Sequence, residues 1–129
     1  MMDFSDKTAV ITGSGRGLGK KIAASFAESG ANVVITARSQ EEIDNTVREI
    51  NNKTNGKAYS IKADISNEKD VTNLVKQTIK QFGQVDFLIN NAALHQAQPI
   101  LETDLATWQK ILDVKLTDTF LCARQCGKD

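Results

Sequence analysis

Between its first apolar run and its first amphipathic segment the chain reads Thr12-Gly13-Ser14-Gly15-Arg16-Gly17-Leu18-Gly19. A turn this rich in glycine, set between a strand and a helix, lets backbone N–H groups and the positive end of the helix close on a phosphate, because no side chain stands in the way. Taken alone such a cluster is a weak signal. A Walker A loop is its competitor, and it requires Gly-x-x-x-x-Gly-Lys followed by Ser or Thr. Here Gly19-Lys20 is followed by Lys21 and Ser14 stands where the first glycine belongs, which sets that reading aside.

The chemistry is narrowed by what lies about 20 residues further on, where a dinucleotide-binding βαβ unit ends its second strand. A site for NAD usually places Asp or Glu there against the ribose 2′-hydroxyl, whereas a site for NADP avoids that charge and supplies a cation. The residues are Thr36-Ala37-Arg38. The planar fork of Arg38 suits a 2′-phosphate, and Arg16 within the turn is a second candidate donor. Read by themselves, both arginines could equally be solvated side chains. In the context of the glycine turn they point to NADP(H) in preference to NAD(H).

Other residue types offer less. Cys122 and Cys126 lie four apart in a helical stretch and the single His95 is far back in the sequence, too few and too scattered for a zinc site. They read as reduced helix cysteines. The only tyrosine, Tyr59, has no lysine four residues on and falls in a strand region, so its expected role is structural.

These residues need elements to hold them. Thr8 to Thr12 reads as a buried strand, and Leu18, Ile22 and Phe26 recur on one face of the following helix, which Gly30 stops. Ala31 to Ala37 is a second strand, apolar on both faces as parallel strands are. Ser39 with Glu42 forms a capping-box signature, and Ile43, Val47 and Ile50 mark the inner face of the helix it opens. A third strand is expected from about Lys57 to Ile65, then a helix from near Ser66 with Val71, Leu74, Val75, Ile79 and Phe82 as its stripe. Val85 to Ile89 is a fourth strand. After a loop holding Pro99, one long amphipathic helix opens near Thr103 or Asp104, with Leu105, Trp108, Ile111, Leu112, Leu116 and Phe120 available for burial and no stop signal before the sequence ends.

The alternation of strand and helix predicts the α/β class: a Rossmann-type, doubly wound, mostly parallel sheet, forming a single domain over residues 1–129 that is incomplete at its C-terminus. Sixteen basic and sixteen acidic residues cancel, so no net field draws the chain to nucleic acid or an anionic membrane. Its apolar runs fall far short of the roughly 18 residues of a membrane span. These features point to the cytoplasm.

Three motifs in order, Thr12-Gly13-x-x-x-Gly17-x-Gly19, Asp64-Ile65 after the third strand and Asn90-Asn91-Ala92-Ala93 after the fourth, resemble the short-chain dehydrogenase/reductase family, in particular its 3-oxoacyl-carrier-protein reductase type. The resemblance covers essentially the whole chain and implies an oxidoreductase that moves hydride between a dinucleotide and a carbonyl or alcohol. It assigns the pyrophosphate to Thr12, Gly13, Ser14, Gly17, Leu18 and Gly19, and the adenine to Asp64 with Ile65 beside it. Asn91 and Ala92 fall to the cofactor's ribose region, and Asn90 to holding the central strands together.

Two departures stand out. Ala93 replaces the usual glycine, and Lys115-Leu116-Thr117-Asp118 replaces a segment resembling Asn-Leu-Thr-Gly, so that Lys115 occupies the position of the family's catalytic asparagine. A lysine has donors only and cannot accept the hydrogen bond an amide accepts. Asp118 sets a carboxylate where a small residue would let the helix pack closely. The family's Ser and Tyr-x-x-x-Lys would belong beyond residue 129. The expectation is therefore a cofactor-binding half that is inactive alone, either self-associating or lacking a C-terminal half. The alternatives are a non-catalytic NADP(H)-binding or partner-binding protein and a nonfunctional truncated product.

Overall fold

The structure, a computed structural model, describes residues 2–55, 57–92 and 99–128. Ala93 and His95, singled out above, lie outside them. Four strands, β1 (Thr8–Thr12), β2 (Asn32–Thr36), β3 (Lys57–Ser60) and β4 (Phe87–Ile89), form one sheet in the order β3-β2-β1-β4. Every pairing is parallel. The helices between them are α1 (Gly17–Glu28), α2 (Gln40–Lys53) and α3 (Glu68–Phe82); beyond β4 come a short 3-10 turn (Ile100–Glu102), α4 (Leu105–Leu112), a π turn (Asp113–Thr117) and α5 (Asp118–Gly127).

Side-chain alternation divides the core into two layers. Ala9 and Ile11 of β1 and Val33 and Ile35 of β2 pack with Ala23 and Ala27 of α1 and Ile43 and Ile50 of α2. Val10 and Val34 point the other way and meet Leu74 of α3, with Phe82, Val85 and Leu88 around them. A sheet covered on both faces explains why its central strands carry no polar alternation. Phe4, Phe26 and Phe87 close the first layer beside β4, their ring centroids 5.3 to 5.5 Å apart.

Three sequence expectations are corrected. The third strand ends at Ser60, although Ile61 and Ala63 still donate to the carbonyls of Ile35 and Ala37 as the chain leaves the sheet. Leu18 is exposed, because the first turn of α1 projects past the strand ends and only Ile22 and Phe26 of the expected stripe reach the core. The last helix is not continuous: a π turn divides it, and Leu105, Trp108, Leu116 and Phe120 remain exposed. Among the described residues no helix is long and apolar enough to cross a membrane.

The strand order reverses between β1 and β4, since the chain steps from β1 to β2 and β3 and then returns to the opposite side of β1. At such a point the loops leaving two neighbouring strands diverge and open a crevice at their C-terminal ends. Thr12 clasps that divergence. Its buried Oγ1 accepts the N–H groups of Asn91 (2.9 Å) and Ala92 (3.0 Å), and its hydroxyl donates to the Ile89 carbonyl (3.4 Å). Thr12→Val keeps the shape but orphans two N–H groups. It should destabilise the protein by about 2 to 4 kcal/mol, read as a lower denaturant midpoint, whereas Thr12→Ser should retain most of the stability. Equal midpoints for the two variants would contradict the clasp.

Candidate functional site

The crevice is a cleft of about 680 Å³ whose walls come from three strand ends and the α4–α5 side. It is lined by the glycine turn, by Thr36, Ala37 and Arg38 after β2, by Ala63 to Ser66 after β3, by Asn91 and Ala92 after β4, and by Lys110, Asp113 and Asp118. Of the residues expected from the sequence, Gly13, Arg16, Gly17, Leu18, Arg38, Asp64, Ile65, Asn91 and Ala92 therefore share one cavity.

The floor is the turn between β1 and α1. Gly13 and Gly17 adopt φ values of +64° and +60°, which a side chain would strain. A Cβ on Gly19 would lie 2.4 Å from the Gly13 carbonyl oxygen and 2.5 Å from Asn91 Nδ2, so glycine is required for the helix to start this close to the turn. At Gly17 a Cβ would meet nothing within 4 Å, which leaves that side open to a ligand. Helix α1 begins at this opening without a side-chain cap and without an acidic residue in its first turn. By contrast α2, α3 and α4 are capped by Ser39, Asn67 and Asp104. The uncapped N–H groups of α1 and its positive end thus face the cleft, the arrangement that holds an anion.

Two residues expected at the cofactor act within the turn itself. Ser14 is buried, donates to the Ile11 carbonyl (2.7 Å) and accepts the Thr36 N–H (3.0 Å), tying the turn to the end of β2. Asn91 Nδ2 donates to the carbonyls of Thr12 (3.2 Å) and Gly13 (3.3 Å). It thereby performs the strand-joining task expected of Asn90, which is exposed at the end of β4.

Charge is unevenly distributed along the cleft. Arg16 is exposed, with a guanidinium nitrogen 3.9 Å from Glu42. Glu42 does approach the Ser39 cap through its N–H (3.3 Å), but its carboxylate is turned toward Arg16. Arg38 is exposed at the mouth. Beyond it Asp64 accepts the N–H (3.0 Å) and hydroxyl (2.6 Å) of Ser66, and these bonds, with the nearby Arg38, hold its carboxyl below the usual range. Asp64 is thus an ionised acceptor. Its backbone N–H is fixed by Asp70 (2.8 Å).

The opposite wall went unseen in the sequence. Lys110 of α4 and Asp113, which opens the π turn three residues later, share the cleft face, and an α-helix would next place Leu116 or Thr117 there. The π turn inserts one extra residue into the register, and the face passes to Asp118. Leu116 is turned outward for the same reason. Lys115 is exposed and does not line the cleft. Asp118 is 1% exposed and its Oδ1 has no hydrogen-bond partner among the described residues. Burial first, then the charges of Asp64 and Asp113, push its carboxyl up to about 6. Four residues on, burial likewise pushes the Cys122 thiol up to about 12, marking it as a packing residue.

An anionic dinucleotide fits this set: an uncapped helix end beside the open Gly17 for the pyrophosphate, two exposed arginines near one mouth, and an ionised acceptor at Asp64. Asp118 is the misfit. An acid whose pKa is raised on folding carries no penalty below its unfolded value, near 3.8, and a full one above its folded value, near 6. Stability is lost as pH rises through that window. Asp118→Asn should therefore raise the unfolding free energy at pH 7.5 by up to about 3 kcal/mol and change it little at pH 4. Parallel denaturation curves at the two pH values measure the difference, and an equal effect at both would contradict the assignment.

The family model for short chain dehydrogenase matches residues 7–129. The chain is 37% identical over 124 residues to glucose 1-dehydrogenase 2 of Bacillus subtilis (strain 168), covering 95% of this chain and 48% of that protein. It is 39% identical over 123 residues to (2S)-[(R)-hydroxy(phenyl)methyl]succinyl-CoA dehydrogenase subunit BbsD of Thauera aromatica, covering 95% and 49%. Among solved structures, L-sorbose reductase from Gluconobacter frateurii, complexed with NADPH and L-sorbose, superposes with a TM-score of 0.92 at 30% identity, over 98% of this chain and 48% of that one. A metagenomic short-chain oxidoreductase in complex with NADP gives 0.89 at 31% identity, over 97% and 57%. The chain spans about half the length of the relatives it matches. Its strand order, its glycine turn and this match along nearly all its residues place the chain in the short-chain dehydrogenase/reductase family of oxidoreductases.

Proposed function

We propose that these 129 residues form the NADP(H)-binding half of an oxidoreductase acting on a carbonyl or alcohol. The observation that carries this reading is the uncapped N-terminus of α1, opening over Gly13 and Gly17 into a cleft with two exposed arginines. The pyrophosphate would rest on the N–H groups at the start of α1, with the glycines allowing its approach, and Asp64 would accept from the adenine amine with Ile65 against the ring. Arg38 and Arg16 would receive the 2′-phosphate, while Ala37 places no carboxylate against it. Thr12, Ser14 and Asn91 fix the backbone around it, and Ala92 borders the ribose. Two structural neighbours were solved with NADPH or NADP, which supports the choice of cofactor.

Arg38→Ala tests that choice. A charge-assisted bond contributes on the order of 1.5 to 3 kcal/mol, roughly ten- to a hundredfold in affinity. The parent protein should bind NADPH more tightly than NADH, and the variant should lose most of that difference with little change toward NADH. Equal affinities of the parent for both cofactors, measured by fluorescence titration, would reject the assignment.

The bound cofactor supplies or accepts the hydride; the protein must hold it near the substrate carbon and deliver a proton to the developing alkoxide. The residues described here do the first task only. The sequence contains no Tyr-x-x-x-Lys, and Lys115 faces solvent away from the cleft. Exposed Leu105, Trp108, Leu116 and Phe120, together with the outer position of β4, are the surface we assign to self-association or to a C-terminal half. The 129 residues alone should bind NADPH in the cytoplasm without reducing ketones or acetoacetyl thioesters at a rate typical of such reductases. Robust, saturable NADPH consumption by highly purified protein, abolished by Lys115→Ala, would overturn this and make Lys115 catalytic.

A further inference from the structure

We propose that Asp118 makes dinucleotide binding proton-linked: its carboxyl, buried in the wall of the cleft with Oδ1 unpartnered among the described residues, takes up a proton when the anionic cofactor is seated. The inference rests on the dinucleotide reading above and deepens it. Asp118 reaches the cleft only because the π turn brings it onto the face begun by Lys110 and Asp113. Among the described residues no ion pair neutralises it.

Around Asp118, from the loop after β3 comes Asp64, ionised and held by Ser66, with Arg38 beside it at the mouth. From the π turn come Asp113, which lines the cleft, and Lys115, which is exposed. From α4 comes Lys110, exposed at the rim. From α3, which packs on α5, come Glu68, Lys69 and Asp70; Glu68 pairs with Arg124 of α5 and Asp70 holds the Asp64 N–H. Along α5 itself the next titratable group is the buried Cys122. Among the described residues no cation forms an ion pair with Asp118, and the charges acting on it most strongly are those of Asp64 and Asp113.

A carboxyl so placed is poised near neutrality, at about 6. A pyrophosphate adds negative charge to the same cleft and favours the neutral form further, since like charges brought together raise a carboxyl's pKa. By linkage, affinity is then highest below the pKa of the free protein and falls as pH rises above it, until the pKa of the complex is passed. A further rise of about one unit on binding corresponds to a tenfold loss of affinity.

The test is titration of the protein with NADH and NADPH from pH 5.5 to 8.5, beside Asp118→Asn. NADH is needed because the 2′-phosphate of NADPH itself titrates near 6. The expected result is NADH affinity about tenfold weaker at pH 8.5 than at 5.5 in the parent and nearly constant in the variant, with the NADPH profiles differing between the two proteins by the same factor. Calorimetry of the unmutated protein in two buffers of different ionisation enthalpy should show net proton uptake on NADH binding near pH 7, which needs no variant to fold. Identical pH profiles for parent and variant, affinity that strengthens with rising pH, or no proton uptake would each overturn the inference while leaving the cofactor reading intact. No binding by either protein at any pH would overturn both.

Discussion

The cleft depends on a small set of hydrogen bonds at the point where β1 and β4 part. Parallel strands that diverge leave backbone donors and acceptors without ladder partners, and buried groups of that kind must be satisfied elsewhere. Thr12 takes the N–H groups of Asn91 and Ala92, Asn91 returns its amide to the carbonyls of Thr12 and Gly13, and Ser14 joins the same turn to Thr36. Three strand ends are thereby fixed relative to one glycine turn. Once that turn is fixed, α1 must start against Gly13 and Asn91, which is why only glycine fits at position 19.

Electrostatics then gives the cleft a direction. Its floor presents uncapped N–H groups, Arg16 and Arg38 stand near one mouth with Asp64 beside Arg38, and the opposite wall holds Asp113 and Asp118 with Lys110. A ligand with phosphates at its centre and a neutral ring able to donate hydrogen bonds at one end matches that polarity. The acids differ in how they are supported. Asp64 is held ionised by Ser66, whereas Asp118 has burial and repulsion alone. Carboxyls that border the same cleft consequently contribute to stability with opposite dependence on pH.

The relatives share this half at 37% to 39% identity although their names specify different substrates, a sugar in one and a CoA ester in another. Fold alone does not set the substrate, because substrate choice resides in the residues grafted onto a shared frame. The apolar side chains left exposed on α4, the π turn and α5 lie on the opposite side of this economy: they do nothing for the cleft and have their own face free.

Periodicity and turn chemistry in the sequence placed four strands and pointed to the glycine turn with Arg16 and Arg38, and the motif resemblance added Asp64, Ile65, Asn91 and Ala92; the structure brings them to one cleft with Gly13 and Gly17. Those features are local: a parallel strand must be apolar on both faces, and a positive φ demands glycine. The roles of Ser14 and Asn91 were not legible, because a hydroxyl or amide beside a phosphate turn looks the same whether it faces the ligand or its own backbone. The pairing of β1 with β2 and β4 turns their hydrogen bonds onto the backbone of the glycine turn. Leu18 and Leu116 fitted apolar stripes yet stay exposed, the first because its turn overhangs the sheet and the second because one residue was inserted into the helical register. That single insertion also carried Asp118 into the cleft and left Lys115 outside it. A 3.6-residue period read along the sequence cannot contain it, since a π turn closes its bonds from i to i+5 and departs from that period.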